Sequence, residues 1–347
     1  MTMEERCTPR QLGVAVFVAL LAPASTLPRV LARGGALGGL ALCGVFPLAA
    51  LVAWRVKKLG RDGLKPRLRG PLGRLVLTLY YLWAMALCAL TAGGCVDRLE
   101  RTDYAGAPVW ALALAITAVS AYLIYRGRGG FFRAVEILYL VLLVLLALLL
   151  ILAIADLDGH NLKPTGFGEA RGLVQGLVGG GGALSVAALA AFFPRKSRWA
   201  GESPFWAWLL GWCLAAMALC AVVIGALGPR LATQAPLPFF LALQGLGFPG
   251  SFQRLEALGT AAWVLSDVTL LGLAALAGRE MAGGRDRALI PPLAAAFLGG
   301  CLLPNAAVEG VASFLFGANL LLGAALPVVL SLLPLGRKAG PGGISCG

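Results

Sequence analysis

Residues 137–155 read ILYLVLLVLLALLLILAIA, nineteen positions without a charge. A bilayer core about 30 Å thick is crossed by about 20 apolar residues in a helix. Inside lipid every backbone polar group needs a partner within the structure, so only helices and closed barrels span. Barrel strands alternate apolar and polar residues over roughly 10 positions. This run does not alternate and is too long for one such strand. The chain therefore reads as an all-α integral membrane protein. Only 13% of its residues are charged, against about a quarter in soluble domains.

Ten spans follow from the same pattern, at roughly 11–31, 35–56, 72–95, 108–125, 131–155, 170–193, 204–228, 251–278, 288–307 and 311–334. They form one polytopic membrane domain over residues 1–347. The stretch PRLATQAPLPFFLALQGLGFPG, between spans seven and eight, is too short and too Pro-broken to cross. It reads as lying at the outer interface. With the N-terminus inside, 21 of the 29 Lys and Arg fall in inside segments and eight in outside ones. That asymmetry obeys the positive-inside rule and puts both termini in the cytoplasm. The net charge of +13 is thus a matter of topology and lipid contact, and implies no nucleic-acid partner. In MTMEERCTPR two glutamates offset the two arginines, which favours a retained first span over a cleaved leader.

The eight cysteines show no Cys-x-x-Cys spacing and mostly lie in apolar spans. They read as small buried hydrophobes, with no metal site. The single histidine, His160, gives no catalytic dyad. No nucleotide loop or catalytic triad is present, so an enzyme is the least supported class and no cofactor is implied. Tyr80, Tyr81, Tyr104, Trp206, Trp208 and Trp212 fit interfacial aromatic belts.

Two spans carry helix breakers. The first contains Pro23, Ala24, Ser25 and Thr26 near its centre. Proline lacks a backbone donor and clashes with the preceding turn. The sixth contains Gly179, Gly180, Gly181 and Gly182, each costing a helix roughly 1 kcal/mol relative to Ala. If residues of about 11–155 and 170–334 are two inverted repeats, these breaks occupy matching places. Such paired breaks point to a midplane binding site. Unwound helix ends offer N–H groups to a carboxylate and carbonyls to an ammonium, which suits a zwitterionic amino acid. Close helix packing is the other use of glycine in membranes.

Asp267 falls near the middle of span eight. A carboxylate there costs roughly 2.5–3.5 kcal/mol on insertion scales, so it faces the protein interior or water. It lies eleven residues after Glu256, which returns to about the same helix face about 16 Å further along. Trp263 lies within about 20° of that stripe. Asp267 then serves a ligand amine, a cation or a proton, or is a protonated acid bonded to a neighbouring helix. Glu136 follows Arg133 by three residues, a spacing for an ion pair or a gate. Arg254 and Glu256 form a similar pair at the start of span eight.

Two stretches resemble the germinant-receptor B-subunit family, the GerAB-type spore germination permeases of the amino acid–polyamine–organocation superfamily. One is RGRGGFFRAVEILYLVLLVLLALLLILAIADLDGHNLKP, with Arg133, Glu136, Asp156, Asp158, Asn161, Leu162 and Pro164. The other is FPGSFQRLEALGTAAWVL, with Phe252, Arg254, Glu256 and Trp263. RQLGVAVFVALLAPASTLPRVLA adds a weaker likeness. The resemblance implies a LeuT-type fold, a role in sensing nutrient germinants at the inner spore membrane, and work with an A-type membrane subunit and a C-type lipoprotein. The Gly-rich sixth span and Asp267 depart from the family pattern. On this reading the chain is a germinant-binding subunit. The residues also allow an H⁺- or Na⁺-coupled amino acid transporter or, more weakly, a membrane scaffold.

Overall fold

The computed structural model describes residues 7–33, 35–59, 68, 70–102, 104–154, 158–162, 170–194, 205–245, 255–303, 317–327 and 329. Every element among them is helical. In chain order these are α1 (Pro9–Ala19), α2 (Leu21–Ala24), α3 (Leu27–Arg33), α4 (Gly35–Leu59), α5 (Gly70–Arg101), α6 (Val109–Tyr125), α7 (Gly127–Ile154) and α8 (Ala170–Ser185). A 3₁₀ segment, Val186–Phe192, continues α8. Then come α9 (Phe205–Gln234), α10 (Pro238–Gly245), α11 (Leu255–Met281), α12 (Ile290–Leu302) and a π-helical turn, Leu320–Ala325.

Five segments are long and apolar enough to cross a membrane: Gly70–Arg101, Gly127–Leu152, Gly172–Phe192, Phe205–Gln234 and Ala257–Met281. Three shorter apolar helices accompany them, Pro9–Ala24, Cys43–Trp54 and Val109–Tyr125. Two contrasting helices show how composition sorts position. In α7 the large side chains Ile137, Leu140, Val141, Val144, Ile151 and Ile154 are exposed, an apolar face fit for lipid. By contrast, α11 is buried without interruption from Ser266 to Gly278. It packs against α5, α1, α6 and α7 and forms the centre of the bundle. Five of the seven described cysteines are buried among these helices, as their apolar setting predicts.

The first span breaks where its sequence says it should. α1 opens on a capping box, Thr8 bonding the Gln11 backbone while the Gln11 side chain accepts from the Thr8 N–H, which satisfies two end donors at once. It stops at Ala19, and α2 ends before Ser25 and Thr26. Ser266 of α11 enters the gap. Its hydroxyl donates to the Val18 carbonyl at 2.6 Å and accepts from the Ala22 N–H at 2.8 Å. These two groups would bond each other in an unbroken helix. A side chain inserted into the i→i−4 ladder is a recognised cause of a kink, and Pro23 supplies the second cause. Trp212 of α9 donates to the Leu20 carbonyl at 2.8 Å. Ser25 and Thr26 bond the Ala22 and Pro23 carbonyls at 2.6 and 2.8 Å. We expect Ser266→Ala to lower stability by about 1–3 kcal/mol, the cost of a buried donor and acceptor left unsatisfied. Thermal unfolding of the purified protein reads this, and an unchanged midpoint would mean the two backbone groups find each other without the hydroxyl.

The glycine run corrects the expectation of an unwound sixth span. Gly179, Gly180, Gly181 and Gly182 all lie within the α-helix α8, and all four are buried. The change to 3₁₀ geometry comes later, at Val186. Packing is the reason. A Cβ on Gly181 would stand 2.8 Å from Leu48 of α4 and 3.1 Å from Leu320 of the π turn, and one on Gly179 would stand 3.4 Å from Val30 of α3. The missing side chains let three elements close on α8. In an apolar interior each unpaired backbone group costs several kcal/mol, which outweighs the intrinsic preference of glycine to leave the helix.

Two aromatic residues assigned to interfacial belts are also relocated. Tyr80 and Trp212 are fully buried. Each carries one polar atom that a backbone carbonyl satisfies, so the buried interior suits them as well as an interface does. Tyr81 is half-buried, and its hydroxyl donates to the Ala288 carbonyl at 2.8 Å.

Candidate functional site

The site grows from Asp267. Its side chain is 3% exposed and lies in an ion pair with Arg98, itself 14% exposed. Arg98 stands in the last turn of α5. That helix has 32 residues, or about 48 Å at 1.5 Å per residue. The sequence places the end of span three at residue 95 and leaves Arg98 in a loop. The extra turn carries it onto α11. Cys95, one turn earlier on α5, is buried.

Aromatic rings enclose the pair. The Arg98 guanidinium carbon lies 5.9 Å from the centroid of Trp263, within range of a cation–π contact. Trp263 is buried. Phe239 and Phe240 of α10 pack against it at 5.3 and 6.3 Å between centroids. Beyond Phe240 lies a cavity of about 400 Å³ lined by Arg101, Leu231, Gln234, Ala235, Leu237, Leu241 and Gln244 among others. The semi-apolar stretch after span seven thus supplies a short helix, α10, that stands between this cavity and the buried pair.

Asp267 and Ser266 are neighbours on α11 with separate tasks. Ser266 holds the break in the first span, and Asp267 holds α5. The fold therefore brings Trp263 and Asp267 together and sets the broken segment around Pro23, Ala24, Ser25 and Thr26 against the same helix. The α-helical glycine run lies against α3, α4 and the π turn instead.

The π turn is itself pinned by polar side chains. Tyr80 donates to the Leu322 carbonyl at 2.8 Å, and the Trp83 indole donates to Asn319 at 2.7 Å. A second buried ion pair, Arg128–Glu280 at 3.2 Å, joins the start of α7 to the far end of α11. The expected partnership of Glu136 is redirected. Rather than turning back along α7 to Arg133, which is exposed, Glu136 faces α1, 4.0 Å from Arg10 and 3.5 Å from Gln11. The packing of α1 against α7 brings those two residues within reach. Arg254 lies outside the described residues, as does the side chain of Glu256.

Sequence reasoning missed Arg98, Ser266 and Trp212. A signal for Arg98 was present. A buried carboxylate calls for a cation, and Arg98 and Arg101 are the basic residues after span three. No periodicity could have said that α5 continues far enough to deliver one.

Asn161, one of the family-like residues, has a visible role. Its amide donates to the Gly225 carbonyl of α9 at 2.9 Å. Three residues on, Gly228 takes φ +76° ahead of Pro229, a conformation that suits glycine. The Asn161 side chain lies against that glycine. The turn after α7 is thereby tied to the kink in α9.

The described residues form an all-helical bundle with a broken first span and a buried ion pair between α5 and the central helix α11, an arrangement that suits a membrane protein of permease type. More particularly, the chain belongs to the spore permease family. The family model, described as spore germination protein, matches residues 64–279, more than half of the chain. The match runs from α5 through α11, so it takes in Arg98, Asn161, the glycine run, Trp263 and Asp267. No curated protein matches the chain. The protein is accordingly a germination-related, transporter-like membrane protein.

Proposed function

We propose that this chain is the membrane subunit of a spore germinant receptor and that it binds a small amino acid in a transporter-like pocket. We place the pocket along α11, which packs against both α5 and the broken first span. One observation carries the reading: a buried ion pair between Arg98 of α5 and Asp267 of α11, the helix that holds the break in the first span. A zwitterion has the same two charges. Its carboxylate suits Arg98 and its ammonium suits Asp267, with each buried charge keeping a partner. Trp263 closes one side, and α2, which carries Pro23 and Ala24, packs against the same helix α11.

The packing supports a ten-span, 5+5 inverted-repeat reading. α4 lies against α8 as α9 lies against α1 and α3. α7 lies against α1 as the π turn lies against α8. α6 lies against α11 as α12 lies against α5. Each pair maps onto its counterpart when spans 1–5 and 6–10 are exchanged. On this reading the termini are cytoplasmic, the cavity beside Phe240 opens outward, and the membrane is the inner spore membrane. An A-type membrane subunit and a C-type lipoprotein complete the receptor. Arg133, Glu136, Arg254 and Glu256 remain candidates for a gate.

The test is equilibrium binding of labelled L-amino acids to the protein in proteoliposomes, with uptake measured on the same preparation. Saturable binding without accumulation is the expected result. Accumulation driven by a proton or sodium gradient would replace the sensor with the second reading, a coupled transporter, which the buried Asp267 favours. If neither occurs with the partner subunits present, the pocket is not an amino acid site.

A further inference from the structure

The two groups of α11 that face the Arg98 guanidinium are both suited to a cation. The Asp267 carboxylate is buried and faces it. The ring of Trp263 lies within cation–π range, and Phe239 and Phe240 back that ring. A carboxylate with an aromatic wall binds ammonium and guanidinium groups by charge and by the ring quadrupole. The occupant is tethered, but the tether is long, flexible and rooted in the final turn of α5. The cavity of about 400 Å³ shares Phe240 with the aromatic wall. Its other walls include Leu231, Leu237 and Leu241, which suit an apolar side chain.

We propose that Arg98 is a built-in occupant of a cation site, and that the ammonium group of a ligand displaces it from Asp267. The released guanidinium then meets the ligand's carboxylate. The exchange explains a preference for zwitterions on electrostatic grounds. A zwitterion leaves no buried charge alone, whereas a simple amine takes Asp267 and strands Arg98. This goes beyond the receptor reading by naming what holds the site before the ligand arrives. It rests on that reading only in taking the ligand to be an amino acid.

The experiment compares labelled L-leucine with isoamylamine, the same skeleton without the carboxylate, on the full chain in lipid nanodiscs. The wild type should bind leucine in preference to the amine. Arg98→Gln should reverse this, binding isoamylamine about tenfold or more tightly than the wild type does, on the scale of a desolvated cation–π contact with its ion pair. Arg98→Lys keeps a tethered cation and should show no such gain. The double variant Arg98→Gln/Asp267→Asn, which buries no charge, should lose the amine. A folded Arg98→Gln that binds the amine no better than the wild type overturns the proposal. Should Arg98→Gln not fold, Arg98→Ala with ethylguanidine, the severed end of the side chain, should recover folding only while Asp267 is present; failure of that rescue also overturns it. Amine gain without leucine binding to the wild type would sink the amino acid reading and leave the cation site standing. Leucine binding without amine gain would do the reverse.

Discussion

Asp267→Asn should be among the most damaging single substitutions in the bundle. It leaves the Arg98 guanidinium buried without its counter-charge, a situation that costs about 3–5 kcal/mol. Replacing both partners, as Arg98→Leu/Asp267→Leu, should restore most of that loss, because an apolar pair of similar volume is often neutral or better. Ligand binding should vanish in the double variant even though the fold recovers. Thermal unfolding of the wild type, Arg98→Leu, Asp267→Leu and the double variant gives the coupling, which should approach about 3 kcal/mol, the upper end for contacting residues. Were Asp267→Asn to melt with the wild type, the carboxylate would already be neutral in the folded protein. Asp267 would then be an acid bonded to a neighbour, and the ion pair would carry no weight.

Gly299→Leu should be comparably severe for a different reason. A Cβ on Gly299 would collide with the backbone of Ala89 in α5, and one on the next residue, Gly300, would stand 2.7 Å from Ala113 of α6. Gly93 of α5 faces the same seam, where an added Cβ would stand 2.8 Å from the Cβ of Leu303. Small residues at helix crossings in membranes permit such approach. Ordinary overpacking costs roughly 1–3 kcal/mol because side chains can move aside. Here the obstacle is main chain, so α12 must separate from both neighbours and the expected loss lies above that range. The control is Gly129→Ala in α7, where nothing lies within 4 Å. It should be neutral or stabilising by up to about 1 kcal/mol. Equal melting of the two variants would show that α5 and α12 are not in close contact.

Long-range composition and local breakers were legible in the sequence for the same physical reason. Runs such as 137–155 have one stable arrangement in lipid, so α7 falls almost where hydropathy puts it. Pro23 removes a donor in any context, so the first span breaks as expected. The end of span seven was also readable, since Gly228–Pro229 is a strong local stop. The glycine run was misread because a helix penalty measured in water does not transfer to a buried helix. Arg98 was missed because its role depends on where another helix stands. Ser266 and Trp212 were invisible for a similar reason. Each serves a backbone group on a different element, and no spacing within one segment encodes that.

The wound glycine run has a consequence for how the bundle could report an event. Four successive glycines bring α8 no side-chain contacts of their own and leave its backbone the most conformationally permissive stretch of the helix. α8 is therefore kept in shape from outside, by Leu48, Leu320 and Val30, and its backbone is a dependent variable of three neighbours. One of those neighbours is α3, just past the break in the first span. Another is a π turn, whose surplus residue is geometry that an ordinary helix would shed. A shift in either loosens the grip on the stretch least able to hold itself, and the length of this helix, rather than the position of any side chain, becomes the quantity that changes.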